Sequence, residues 1–273
     1  MRRILFLLVG LTFLVGGASA QVSSLMLKTL IQVKSTFVDE KGGQHSVSGG
    51  GFIVNGKYLA TCYHLYHPKW SAKRAKRMIV YYNFSVTDNK QLKSDSVEID
   101  LAYKYTGKQY DFSKHIYKED QLETDFIILK LKRIIPVKPL PMNTGSNLPK
   151  YTPLPMIAFD NQSNRLRNDT LIYVYPQFFA KKEAAYQLVV FGPAHPGFSG
   201  SPVFNLNGEI VGIMQLGMPE INETYLSNVA KAGWLTETDL VGIRRGYIAL
   251  DPYNISFITN IKYFNDTYIK NFR

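Results

Sequence analysis

An all-β fold in two similarly built halves is what this sequence predicts. Short apolar and aromatic runs alternate with turn residues, long helical periodicity is nearly absent before the C-terminus, and an Asn-Gly pair between β-prone runs occurs twice. That is the pattern of an antiparallel sandwich or barrel.

The chain opens with Met1-Arg2-Arg3, an apolar run from Ile4 to Val15, and small residues ending in Ala18-Ser19-Ala20. A basic start, a short apolar middle and small residues at the end make a secretory signal peptide, with cleavage expected after Ala20. The apolar run falls short of the roughly 20 residues of a spanning helix. An exported protein, secreted or periplasmic, is therefore expected. Loss of Arg2 and Arg3 lowers the net charge from +11 to +9, which favours anionic surfaces or acidic substrates without constraining the fold. Cys62 is the single cysteine, so no internal disulfide staples the chain, and an exported protein of this kind points to a bacterial source. The Asn-x-Ser/Thr triplets, at Asn83, Asn161, Asn168, Asn222, Asn254 and Asn265, are read as chance.

Within the body, Gly49 to Val54 meets Asn55-Gly56 and returns through Lys57 to Thr61. Asn-Gly is a two-residue hairpin signal because both central residues take positive φ. Ser201 to Leu206, Asn207-Gly208 and Glu209 to Met214 repeat the device. Between them, Asp125 to Arg133 places Ile127, Leu129 and Leu131 on one face and Lys130 and Lys132 on the other, a half-buried strand opened by Asp125. Pro136, Pro139, Pro141, Pro149, Pro153 and Pro155 read as the connector between halves, since proline is excluded from central strands. Ile255, Ile258, Ile261 and Tyr263 with Phe264 fall at helical spacing after Pro252, predicting a short C-terminal helix.

The segment with most chemistry in it is Gly197-Phe198-Ser199-Gly200-Ser201-Pro202. A serine hydroxyl needs a base to accept its proton and donors for the oxyanion formed on attack. Glycines beside Ser199 let the chain turn sharply, so that the amides of Gly197 and Ser199 aim into one hole. His64 ends the return strand of the first hairpin, where a rigid element aims an imidazole at a cleft. Asp125 stands where a carboxylate orients that ring.

In the order His64, Asp125, Ser199 these segments resemble the trypsin-like serine proteases, most of all bacterial glutamyl endopeptidases and the protease domain of the high-temperature-requirement family. The resemblance runs over roughly residues 47 to 250, with firm motifs at the three segments and at Gly197 to Asn205 followed by Gly212-Ile213. It implies two six-stranded antiparallel β-barrels with the site between them. On that reading residues 1–20 are the signal peptide, 21–135 the barrel carrying His64 and Asp125, and 136–273 the barrel carrying Ser199 plus the terminal helix. It also implies a serine endopeptidase working through an acyl-enzyme with a His64–Asp125–Ser199 triad and no cofactor or metal. The substrate pocket would be formed by Pro193, Ala194, His195, Met214, Gln215, Leu216 and Gly217, and its lack of a cation predicts cleavage after uncharged, mainly aliphatic residues. Three positions depart from the family pattern: Phe198 stands for an acid or amide, Cys62 for a smaller residue and Gln215 for a serine.

Other readings fit less well. An α/β-hydrolase needs Gly-x-Ser-x-Gly and the chain order Ser, acid, His. Cys62 two residues from His64 on a strand only shares its face. His64 with His67 lacks further metal ligands. The remaining alternative is a protease-like fold that binds peptides or a partner without cutting them. Lys69, Lys73, Arg74, Lys76 and Arg77 form the densest charge run, a solvated loop or a contact for anionic surfaces. Nucleic acid is not expected, because no aromatic stacking motif accompanies that run.

Overall fold

The computed structural model describes residues 27–68, 73–86, 92–102, 125–143, 148–163, 165–177, 187–192, 194–218, 255–262 and 269. The leader, most of the C-terminal fifty residues, Lys69 and Pro193 lie outside them.

The first sheet is built on β1 (Ile31–Val38), which alternates strictly: Ile31, Val33, Ser35 and Phe37 are buried while Gln32, Lys34 and Thr36 face outward. An Asp39 carboxylate oxygen accepts the Lys41 and Gly43 amides and turns the chain into β2 (Gln44–Ile53). β4 (Arg77–Val86) flanks β1 on its other side and pairs with β5 (Leu92–Glu98). β2 leads to β3 (Tyr58–Thr61), and β3 pairs with β6 (Ile127–Lys130). The strand order is β5-β4-β1-β2-β3-β6.

The second set comprises β7 (Pro153–Asp160), β8 (Arg165–Gln177), β9 (Gln187–Phe191), β10 (Pro202–Phe204), β11 (Ile210–Met218) and β12 (Ile255–Asn260). Its order is β10-β11-β12-β9-β8-β7, with β10 meeting β7 again at Val203–Met156 alone.

The two halves are not the expected pair of closed six-stranded barrels, and among the described residues no terminal helix follows them. In the first half the outer strands β5 and β6 form an open sheet, with only the isolated bridge Ile99–Leu131 beyond their ends. The short β6 gives no ladder to close on. In the second half a single residue pair joins β10 to β7, because β10 is three residues long and Pro202 has no amide to donate. Neither half therefore has a continuous ladder all round. Of the residues expected to be helical, 255–260 form β12, paired with β11 on one edge and β9 on the other; among the described ones only 261 and 262 coil, and Tyr263 and Phe264 lie outside the described residues. Ser256, Ile258 and Thr259 are all buried, so this strand is covered on both faces, and such a run mimics a helical spacing.

Two smaller expectations also change. Both Asn-Gly hairpins are three-residue loops: Val54 N–H reaches Tyr58 and Asn205 N–H reaches Glu209, and only Gly56 and Gly208 take positive φ. Pro153 and Pro155 belong to β7 and not to the connector. They are tolerated because β7 carries its full ladder only on the β8 side.

One core lies under the first sheet and takes in Phe204, Ile210 and Ile213 from the second. Another, inside the second set, gathers Leu154, Met156, Leu171, Val190, Phe198, Met214 and Ile258. Among the described residues no helix is long and apolar enough to cross a membrane.

Candidate active site

β3 delivers the first functional side chain. Thr61, buried at its end, donates its hydroxyl to the Gly50 carbonyl at 2.7 Å and ties β3 to β2. Cys62 is extended, and a single 3-10 turn over Tyr63–Leu65 follows. Tyr63 and Leu65 enter the core, which leaves His64 facing outward with its side chain 26 % exposed. His64 thus sits just past the strand, not in it.

β6 delivers the second. Thr61 pairs with Ile127, so antiparallel register brings Asp125 level with the turn that holds His64. Asp125 precedes β6 by two residues. Its buried carboxylate accepts the His64 backbone N–H at 2.8 Å through Oδ1 and meets ring Nδ1 at 2.6 Å through Oδ2. A carboxylate can only accept, so Nδ1 carries the proton, and in the neutral ring Nε2 keeps its lone pair. Burial pushes the imidazole pKa down, but the Asp125 charge and hydrogen bond outweigh it and leave His64 above its ordinary 6.5.

The turn before β10 delivers the third. Phe198 N–H bonds the His195 carbonyl at 3.0 Å and Ser201 N–H the Phe198 carbonyl at 2.9 Å. Gly197 and Gly200 have φ of +105° and +85°, and a Cβ at Gly200 would also run into the Gly50 carbonyl. The Ser199 carbonyl accepts the Gly50 amide at 2.7 Å, and Gly200 N–H reaches the Met214 carbonyl at 2.7 Å. The loop is thus pinned to β2 on one side and β11 on the other. The Ser199 hydroxyl points to the Gln215 carbonyl at 3.4 Å.

His64, Gly197 and Ser199 line one cleft of about 1140 Å³, whose walls include Ser46, Ser48, Phe159 and Asn161. Asp125 stands behind His64. The residues expected to form a substrate pocket do not line this cleft. Met214 is in the core of the second set, Ala194 packs against that core, and the His195 ring stands edge-on to Phe198 at 5.1 Å. Gln215 is buried and contributes its carbonyl, as just described. Leu216 and Gly217 continue β11, paired with Phe257 and Ser256. Pro193 is outside the described residues.

Cys62 is buried and donates its thiol to the Met214 carbonyl at 3.2 Å. Burial, reinforced by the Asp125 charge, pushes the thiol well above its ordinary value, as suits a core residue and not a nucleophile. Donor atoms of Cys62, His64 and Asp125 lie within 4.8 Å of one another, yet an ion there would have to break the His64–Asp125 bond and strip a reluctant thiol. His67 meets the Tyr63 hydroxyl at 3.3 Å instead. In the basic run, Arg74 lies over the Tyr66 ring and Arg77 pairs with Glu98 at 2.6 Å, while Lys73 and Lys76 are exposed.

Asn161 was not legible as a site residue. Its amide N–H bonds the Pro196 carbonyl at 2.9 Å and its side chain donates to the Ser48 carbonyl at 3.1 Å, bridging the loop before Ser199 to β2. The one sequence signal is the turn Asp160-Asn161-Gln162-Ser163, which the Asp160 carboxylate closes on the Gln162 and Ser163 amides.

The sequence signature described as trypsin-like peptidase domain matches residues 49–213. Among curated proteins none matches the chain. The crystal structure of Rv3671c protease from M. tuberculosis in its active form superposes with a TM-score of 0.54 at 10 % identity, over 90 % of this chain and 82 % of that one. The inactive form of the same protease gives 0.53 at 13 % identity, over 92 % of each chain. At such identities the likeness is one of fold.

Proposed function

The chain belongs to the trypsin-like peptidase domain family and is a serine-class peptidase; on that premise we propose that Ser199, His64 and Asp125 are its catalytic triad. The hold of Asp125 on both the backbone and the ring of His64 is the observation that carries this reading, because it fixes the tautomer a general base needs. Ser199 Oγ attacks the scissile carbonyl and passes its proton to His64 Nε2. The amides of Gly197 and Ser199 receive the oxyanion, and the imidazolium then protonates the departing amine. The resulting acyl-enzyme is hydrolysed by water with His64 again as base. Before attack the Ser199 hydroxyl must leave the Gln215 carbonyl for the imidazole.

Peptides or proteins are the substrates, and the endopeptidase is exported after removal of residues 1–20. The Ser199–Gln215 contact also favours a second reading, in which the fold holds peptides without cutting them. A fluorophosphonate separates the two. Covalent labelling that disappears in Ser199→Ala, together with loss of peptide turnover by about 10⁶, supports the peptidase triad. A folded protein that binds peptide but neither labels nor cleaves would establish the second reading.

A further inference from the structure

We propose, resting on the peptidase reading above, that Lys34 is a specificity determinant that selects an acidic side chain in the leaving-group half of the substrate, laid as an added strand along β2.

The edge of β2 nearest Ser199 is where the inference begins. β2 pairs with β1 from Gln44 to Gly51 but with β3 only at Phe52 and Ile53, so among the described residues no strand covers its other edge from 46 to 50. Gly50 turns both polar groups toward that edge: its N–H meets the Ser199 carbonyl and its carbonyl takes the Thr61 hydroxyl. Alternation aims Ser48 and Ser46 the same way, and the Asn161 contact with the Ser48 carbonyl confirms the direction. Gly50 and the Ser48 carbonyl already have these partners, so an extended peptide adds from the Ser48 amide onward along Ser46.

The half of the substrate that follows the scissile bond belongs here. His64 must protonate the departing amine, so that half lies on the His64 side of Ser199, where the shared cleft runs between Ser46, Ser48 and Asn161. The Ser199 hydroxyl faces the opposite side, toward Gln215 in β11.

Charge then selects the side chain. Lys34 lines this cleft and, apart from the titratable His64, is its one charged lining residue among those described. It lies directly opposite Ser48 and on the same outward face. Strands lie roughly 5 Å apart, so an added strand runs roughly 10 Å from β1. The side chains of a lysine and of a substrate glutamate together span that gap, and the small Ser46 and Ser48 leave the path clear. Glu98 shares the row through Ile79 but is held by Arg77 and Lys132, each at 2.6 Å, and so is engaged away from Lys34.

The test uses internally quenched peptides with Glu, Gln or Lys at each position after the cleaved bond, assayed with wild type, Lys34→Gln, Lys34→Glu and Ser199→Ala. A chromogenic amide with nothing after the scissile bond serves as the check on peptidase activity. Expected is a two- to fivefold preference for Glu over Gln in kcat/KM at one such position, about what a single exposed ion pair supplies. The preference should vanish in Lys34→Gln, invert in Lys34→Glu and shrink with added salt. Ser199-dependent hydrolysis of the chromogenic amide with no acidic preference, or with one unchanged in Lys34→Gln, overturns the role of Lys34 alone. Absence of any Ser199-dependent hydrolysis overturns the peptidase reading and this inference with it.

Discussion

Asp125 holds His64 at two points, the ring Nδ1 at 2.6 Å and the backbone amide at 2.8 Å, so one carboxylate sets both where the imidazole sits and how it faces. An asparagine in its place keeps one acceptor and gains a donor that repels Nδ1–H. If Oδ1 keeps the backbone contact, the ring is driven to the other tautomer and Nε2 carries the proton. Asp125→Asn is expected to lower kcat by roughly 10⁴, the size of effect known for the corresponding change in a model protease. Steady-state kinetics on variant protein of unchanged circular dichroism checks it, and turnover within tenfold of wild type would move the orienting role elsewhere.

Activity and the His64 share of stability should respond to pH in opposite directions. Only the neutral imidazole accepts the serine proton, so kcat/KM should rise through one ionisation whose midpoint lies above 6.5. A histidine whose pKa is raised on folding stabilises the fold below its unfolded value and loses that contribution as pH climbs through the folded value. From about 6.5 up to the raised value, activity therefore grows while this contribution to stability fades. Removing the carboxylate charge in Asp125→Asn should carry the acid limb of residual activity to lower pH. A limb that stays put would mean a different group titrates.

Cleavage after uncharged, mainly aliphatic residues is the expected preference on the acyl side. Ala194, partly buried, offers apolar surface near the loop, Met214 is buried in the core it packs against, and the His195 ring is turned against Phe198. A buried carboxylate with no cation to meet costs several kcal/mol, whereas fitted apolar groups gain about 1–3 kcal/mol each. Sequencing the products from a mixed peptide library decides it, and dominant cleavage after Glu would assign His195 to the pocket.

How far each residue could be read from sequence depended on how local its cause was. His64, Asp125 and Ser199 stand out because a turn rich in glycine, a strand-end histidine and a strand-start acid are each visible within a few residues. β12 was not legible, since a strand buried on both faces loses its period of two and Ile255, Ile258 and Ile261 then imitate a helix. The hairpin loops were located correctly by Asn-Gly, but their length was set by where Tyr58 and Glu209 find their partners. Lys34 carries no local signal, and Asn161 none beyond the turn it sits in. One is an ordinary outward residue of an alternating strand, the other an ordinary turn residue, and only the meeting of β2 with the Ser199 loop gives them a site.

Phe198 shows how the loop holding Ser199 is anchored without a charge. The residue is 1 % exposed, packs in the core with Met156, Val203 and Met214, and carries the His195 ring on its edge. Its backbone N–H and carbonyl close the turn on His195 and Ser201, so its side chain fixes the amides on either side of the nucleophile. Truncation to alanine removes a fully buried ring and should cost about 3–5 kcal/mol of stability. Phe198→Leu, which keeps most of the buried volume, should cost clearly less and retain most turnover. Phe198→Asp, which leaves a carboxylate in an apolar core where the His195 imidazole, 5.1 Å from the Phe198 ring, is the titratable group beside it, should be the least stable. Urea unfolding gives the order, and turnover per fluorophosphonate-reactive site tells loop disorder from simple loss of folded protein. If Phe198→Asp proved as stable as wild type, His195 or a cation outside this core would have to pair with position 198, and the apolar anchor would be wrong.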